Sequence, residues 1–168
     1  RRGFHIQAGG SVFPAIWSVD RAFGEVHGEL ATYIGMNAPL RPVLALRAGG
    51  KKVWGDFPFF ESAFIGGYQT LRGYDQQRYA GNASAWGNAE LRLRLTSFKL
   101  LIPGSLGIHG VTDVGRVWAT GEDSRTWHVT GGGGFWFNFE GPITTMSMTI
   151  AHSDERRTAV YVLAGFGF

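Results

Sequence analysis

Three sets of residues in this chain have types that could do chemistry. The first is His27, His109, His128, Asp113 and Ser124, the raw material of a hydrolytic site. A nucleophile needs a base within hydrogen-bond reach and a third group that orients the base. Here the members are spread over separate segments, and no motif sets Ser124 beside a histidine. Lone histidines at such positions read as hydrogen-bonded wall residues, so no catalytic residue is assigned and an enzyme is not expected. The second set is Gly131 to Gly134. A glycine-rich turn cradles phosphate when a helix follows and aims its N-terminus at the anion. No helical period follows this run, and tight sheet curvature accounts for it better. Cysteine is absent, which excludes a disulfide framework and a thiolate metal site. No metal-ligand spacing is present, and no cofactor is expected.

The third set is ionic. Arg72 stands beside Gly73 in the stretch Gly67-Tyr68-Gln69-Thr70-Leu71-Arg72-Gly73-Tyr74. Glu90, Arg92 and Arg94 alternate with Ala89, Leu91, Leu93 and Leu95. Asp113 lies within Thr112-Asp113-Val114-Gly115-Arg116-Val117-Trp118, and shares its parity with His109, Val111, Gly115 and Val117. Leu106, Ile108 and Val114 point the other way. An ionised carboxylate in a confined interior needs a partner. Arginine offers a planar fork that can meet both carboxylate oxygens, which lysine cannot. From the residues alone, Asp113 can pair with Arg72 or with Arg92 or Arg94. Glu90 is a second carboxylate within reach. Gly73 permits the tight backbone of a loop tip, and Gly115 leaves space beside Asp113.

The elements that would hold these residues are strands. Period-two alternation recurs along the chain, and helical periodicity is hard to find. Phe4, Ile6, Ala8 and Val12 share a face opposite His5 and Gln7. Around Glu25 to Gly35, Val26 and Leu30 oppose His27 and Glu29. From Pro42 to Val53, Leu44, Leu46 and Ala48 oppose Ala45 and Arg47. An irregular stretch follows, about 55–81, and loops of that length are usually functional. Further strands are expected over the Asn88 to Leu95 run, Leu106 to Trp118, Trp127 to Phe139, Thr144 to His152 and Ala159 to Phe168. Phe135, Phe137 and Phe139 share a face, as do Val160, Val162, Ala164, Phe166 and Phe168. Trp17, Trp54, Trp118, Trp127 and Trp136 fall mostly near strand ends, as an interfacial girdle requires.

Composition agrees with strands that face hydrocarbon. Charged residues make up 17% of the chain, against about 25% in soluble domains. The 168 residues include 26 glycines, and the apolar share of 44% is too large for a disordered chain. No apolar run reaches the roughly 18 residues of a transmembrane helix, which leaves a closed barrel as the spanning structure. The net charge of +3 is spread along the chain, so nucleic acid is not an expected partner. A soluble barrel would fill its interior with bulk; here the bulky residues face one way and charge and glycine the other. The expected fold is therefore all-β, an antiparallel transmembrane β-barrel with about eight strands, as a single domain over 1–168.

The two motifs at 67–74 and 112–118 resemble, in that order, the barrel of the bacterial surface antigen family, the outer-membrane assembly and secretion barrels of the BamA, TamA and FhaC type. The match covers about Phe60 to Phe168 well and the first fifty residues loosely, and it includes Asn88-Ala89-Glu90-Leu91-Arg92 and an aromatic C-terminus. The resemblance implies that the long loop carries its Leu-Arg-Gly-Tyr tip into the lumen, where Arg72 pairs with Asp113. It also implies a barrel of about sixteen strands, of which this chain would supply half. No POTRA-like α/β segment is legible in these residues. The implied role is protein insertion or translocation at the bacterial outer membrane. Its candidate lateral seam comprises Phe4, Ile6, Gly165, Gly167 and Phe168. The alternative is a passive outer-membrane anchor or scaffold for a fused or periplasmic partner domain. Expected partners are the lipid bilayer, a protein client or periplasmic partner, and either a second copy or the other half of the barrel.

Overall fold

The computed structural model describes residues 2–16, 21–99, 103–121, 125–139 and 145–166. Trp17, Ser124, Gly167 and Phe168, all singled out above, lie outside the described residues. The strands are β1 (Arg2–Phe13), β2 (Phe23–Gly35), β3 (Val43–Gly55), β4 (Ala63–Ile65), β5 (Tyr79–Gly81), β6 (Ala83–Lys99), β7 (Pro103–Trp118), β8 (His128–Phe139), β9 (Thr145–Ser153) and β10 (Thr158–Ala164). Eight of them form one antiparallel sheet in the order β1-β2-β3-β6-β7-β8-β9-β10, and β4 and β5 form a small hairpin of their own. These eight correspond to the eight periodic segments of the sequence.

The sheet has two unlike faces. Along β7, His109, Val111 and Asp113 are buried, while Leu106, Ile108 and Val114 between them are exposed. The same alternation runs through β9, where Ser147, Thr149, Ala151 and Ser153 are buried and Met146 and Ile150 are exposed. Every Asp and Glu on the described long strands (Glu25, Glu29, Glu90, Asp113) takes the inner register. Bulky hydrocarbon takes the outer one, up to Phe4 at 77% exposed. A soluble sheet distributes these classes the other way round.

Among the described residues the sheet is not closed: β1 and β10 each pair with one neighbour only. An antiparallel sheet of eight strands is as expected, and its closure into a barrel is not seen among the described residues. The segment between β3 and β6 explains the difference. It carries a single 3₁₀ turn (Phe59–Glu61) and the β4–β5 hairpin, and lies on the inner face of the sheet. An eight-stranded barrel is nearly filled by its own wall side chains, so there is no room for such an insert.

Three local features depart from what the sequence pattern led one to expect. Pairing of β6 with β7 slips between Arg94 and Thr96, so Leu95 is a bulge and Thr96 faces Leu106. The last strand stops at Ala164 rather than running to 168. Gly165 takes φ +104°, a value open to glycine and strained for other residues. That turn carries Phe166 off the outer face, and its ring packs against Trp136 and under the Arg92 guanidinium. Trp136 likewise leaves the expected girdle. It faces inward, 7% exposed, with its indole N–H donating to the Ile108 carbonyl at 3.2 Å.

The glycine run on β8 is explained by curvature at alternate positions. A Cβ at Gly132 or Gly134 would overlap the carbonyl oxygens of Ile150 and Met148 on β9, whereas one at Gly131 meets nothing within 4 Å. Gly134→Ala is therefore expected to destabilise the sheet by about 1–3 kcal/mol through overpacking. Gly131→Ala should be neutral or stabilising, since it removes glycine's excess chain entropy. Denaturant midpoints of the two variants, compared with the native chain, test the contrast.

Candidate functional site

The segment 66–74 is folded tightly enough to present one cation. Gly66 and Gly67 have φ values of +124° and +80°, and the Leu71 N–H donates to the Gly67 carbonyl at 3.0 Å. The Thr70 hydroxyl accepts from the Gly66 N–H at 2.8 Å and donates to the Gly66 carbonyl at 3.1 Å. Leu71 and Tyr74 then pack with Ile65 as a small apolar core, against Tyr79, Trp86 and Val117. Gly115 makes room for it, since a Cβ there would stand 3.2 Å from both Ile65 Cδ1 and Leu71 Cδ1.

Arg72 emerges from this packing into the sheet face at 3% exposure, between Asp113 at 1% and Glu90 at 2%. Its Nη2 donates to Asp113 Oδ1 at 2.6 Å, and its Nε and backbone N–H donate to Oδ2, each at 2.9 Å. Its Nη1 donates to Glu90 Oε2 at 3.2 Å. The Thr130 hydroxyl adds a longer contact to Asp113 at 3.3 Å. On the far side of Glu90, Arg92 Nε donates to Oε1 at 2.7 Å. Two cations and two carboxylates make the cluster neutral, and each charge has direct hydrogen bonds. The choice left open by the residues alone is resolved for Asp113 in favour of Arg72; Arg92 pairs with Glu90 instead.

Around this cluster the loop is tied to the wall by residues that sequence reasoning did not pick out. Arg47 on β3 forms a two-pronged pair with Glu29 on β2, both bonds 2.6 Å, and donates to the Gln69 carbonyl at 3.1 Å. Its guanidinium also lies 4.6 Å from the centroid of the Trp86 ring. Asn88 donates to the Thr70 carbonyl at 3.0 Å. Their common inward parity was visible, but nothing local marks which loop atom each one meets. The Gly73 N–H donates to the Tyr161 hydroxyl of β10 at 2.9 Å, and a Cβ at Gly73 would sit 3.2 Å from the Ser153 backbone nitrogen. Tyr74 bonds Asp154 and Arg157 bonds Asp75. Glu155, in the β9–β10 turn, accepts from the Tyr79 hydroxyl at 2.6 Å and from Arg78 at 3.2 Å.

The other sequence candidates are not brought together. His27 lies 3.6 Å from Glu25, His109 bonds Thr149 at 2.8 Å, and His128 stacks on Tyr79 at 3.9 Å. Among the described residues no three His, Asp or Glu converge on a metal position. Of the candidate seam, Phe4 and Ile6 sit on the free edge strand β1 with their side chains outward, and Gly165 forms the turn that ends β10. The arrangement is that of a two-faced β-sheet whose long loop is locked ionically to the polar side. No family model matches the chain, and no curated protein matches it.

Removing Arg72 would leave two carboxylates buried. Arg72→Ala is expected to cost about 3–5 kcal/mol, read as a lower denaturant midpoint. Asp113→Arg should be worse than Asp113→Asn, because it replaces attraction by repulsion; equal losses would argue against an ionic lock. The β9–β10 turn gives a pH signature. The Tyr79 hydroxyl holds the Glu155 carboxyl below the usual range; desolvation opposes it, and Arg78 and Arg157 add to the lowering. A carboxyl depressed on folding stabilises above its unfolded pKa, and loses that contribution as pH falls through its folded value. Amide protection factors in residues 154–157, corrected for the intrinsic pH dependence of exchange, should therefore fall as pH drops below the ordinary glutamate range, and Glu155→Gln should flatten that dependence.

Proposed function

We propose that this chain forms wall of an outer-membrane β-barrel of the assembly and secretion type, acting in protein insertion into, or translocation across, the bacterial outer membrane. The carrying observation is the pairing of a buried Arg72–Asp113–Glu90 lock on one face of the sheet with an apolar band on the other. Leu91, Ile108, Val114 and Phe135 are each 38–47% exposed on strands whose inner residues are mostly polar or small, Trp86 and Trp136 excepted. That inversion suits hydrocarbon outside and a wet lumen inside. It is a poor fit to water, where contiguous apolar surface of this extent drives association.

The free strand edges support the same reading. In lipid each unsatisfied backbone group costs several kcal/mol, so β1 and β10 require further strands. A barrel wide enough to hold the 56–82 segment needs more than eight. β1 offers a 12-residue ladder and β10 one of seven. Such an edge can accept an incoming strand through its main-chain bonds, which is the step required for inserting a client. A passive anchor or scaffold draws support from a different observation. The bonds from Tyr74, Asp75, Arg78 and Tyr79 to the β9–β10 turn tie β10 to the loop, as a static wall would require.

The absence of native cysteine makes single-cysteine labelling clean. Ile108→Cys carrying an environment-sensitive fluorophore should be quenched by spin-labelled lipid in reconstituted vesicles, and Val111→Cys should not. Full solubility of the chain as a monodisperse species without detergent or lipid would sink the membrane reading. Crosslinks from Val160→Cys on β10 to a newly made barrel protein, with none from Ile150→Cys on β9, would support insertion over a passive anchor.

A further inference from the structure

The outer face is apolar over most of its height, but at the loop end it carries cations. Lys52 on β3 and Arg116 on β7 both take the outward register there. Lys52 has no acidic partner among the described residues, whereas its inward neighbour Lys51 pairs with Glu25 at 2.6 Å. Arg116 is framed by aromatic rings. Its guanidinium carbon lies 4.8 Å from the centroid of Trp118 and 6.0 Å from that of Trp127. Trp54, two residues beyond Lys52, is 49% exposed and lies flat over Gly24. No acidic side chain on the described strands shares this outer face, and the described acid at this end, Asp56, pairs with Arg21.

Beside and below Lys52 the wall is hollow. One depression of about 390 Å³ is lined by Val26, Gly28, Gly50, Lys52 and Ala83. A second, of about 360 Å³, adjoins it one row further from the rim; its lining includes Leu30, Leu46, Ala48, Gly87 and Val114 together with the outward Thr32 and Thr112. Gly28 pairs with Gly50 and Leu30 with Ala48, which places the two depressions end to end along the strands. From Lys52 to Leu46 is about 20 Å of strand, enough to cross one leaflet's hydrocarbon of about 15 Å. Sheet packing does not demand all of this space. A Cβ at Gly28 would come no nearer than 3.6 Å to any atom, and one at Gly87 no nearer than 3.7 Å.

We propose that this surface is a binding site for a phosphorylated membrane lipid, with its phosphate between Lys52 and Arg116 and an acyl chain along the hollow. The occupant is a lipid rather than a free anion, because an apolar trough one leaflet deep leads directly from the cations. Two cations at the rim can each meet one of the phosphate's two non-bridging oxygens, and the tryptophans suit the interfacial level at which a headgroup sits. The site rests on the membrane reading above, since the trough has an acyl chain beside it only if the outer face meets lipid.

The test uses tryptophan emission from the full chain in phosphatidylcholine vesicles. A small, equal mole fraction of dibrominated phosphatidylglycerol or dibrominated phosphatidylcholine serves as quencher. The anionic lipid is expected to quench several-fold more strongly. Lys52→Gln and Arg116→Gln should each cut that preference about five-fold, as expected for about 1 kcal/mol per cation near an anionic surface. Arg156→Gln, in the β9–β10 turn, should leave it intact, and added inorganic phosphate should not displace the lipid. If Arg116→Gln does not fold, Lys52→Glu changes only an exposed side chain and should abolish the preference. Equal quenching by the two lipids overturns the site and leaves the membrane reading standing, as does a preference that survives the loss of Lys52. Quenching by neither lipid overturns both.

Discussion

A guanidinium at 3% exposure is tolerable only where its lost hydration is replaced bond for bond, and the loop-to-wall geometry follows from that constraint at Arg72. Asp113 must lie on the inner register of β7, Glu90 on the inner register of β6, and these strands must be neighbours; they are paired. The loop must bend sharply to deliver both the side chain and the backbone N–H of Arg72 to one carboxylate, and three glycines at positive φ between 66 and 73 allow it. Gly115 must lack a side chain so that Leu71 can pack one residue before the charge. Satisfying the cation thus fixes strand register, loop path and local core together.

The same constraint separates the two faces. A polar inner surface committed to ion pairs cannot also serve as the hydrophobic core of a soluble domain. The buried apolar cluster is correspondingly small, centred on Ile65, Leu71 and Tyr74. Folding therefore leaves most of the bulky hydrocarbon on the outer face, where water would oppose it and acyl chains would not. The division of polar and apolar residues between the two faces follows from a loop that occupies the inner one.

What was legible in the sequence was whatever repeats at period two. Strand identities, the inward parity of Glu90 and Asp113, and the outward leucines of β6 all come from alternation, which the backbone imposes on every strand. Choosing Arg72 over Arg92 or Arg94 as the partner of Asp113 required the resemblance, because loop-to-wall distance has no local signature. Arg47, Glu29, Asn88 and Tyr161 were missed for the same reason. Each has an ordinary type at an ordinary position, and each becomes a loop tether only through contacts far apart in the chain. Phe166 was misplaced because alternation was extended through Gly165, and a single residue at φ +104° is enough to reverse which face the next side chain occupies.

The lock is not symmetrical about its arginine. Glu90 is shared between Arg72 at 3.2 Å and Arg92 at 2.7 Å, and the shorter bond is to the residue on its own strand. Asp113 takes three donors from Arg72 and only the 3.3 Å Thr130 hydroxyl from elsewhere. Were the loop to lift, Glu90 would keep a cation and Asp113 would be left without one, so the charge holding the loop down sits mainly on β7. Arg92, in turn, stacks on Phe166 with its guanidinium carbon 3.8 Å from the ring centroid. The carboxylate that answers to Arg72 thereby shares its second cation with the turn that ends β10, and an unbroken line of contacts joins the loop tip to the edge of the sheet.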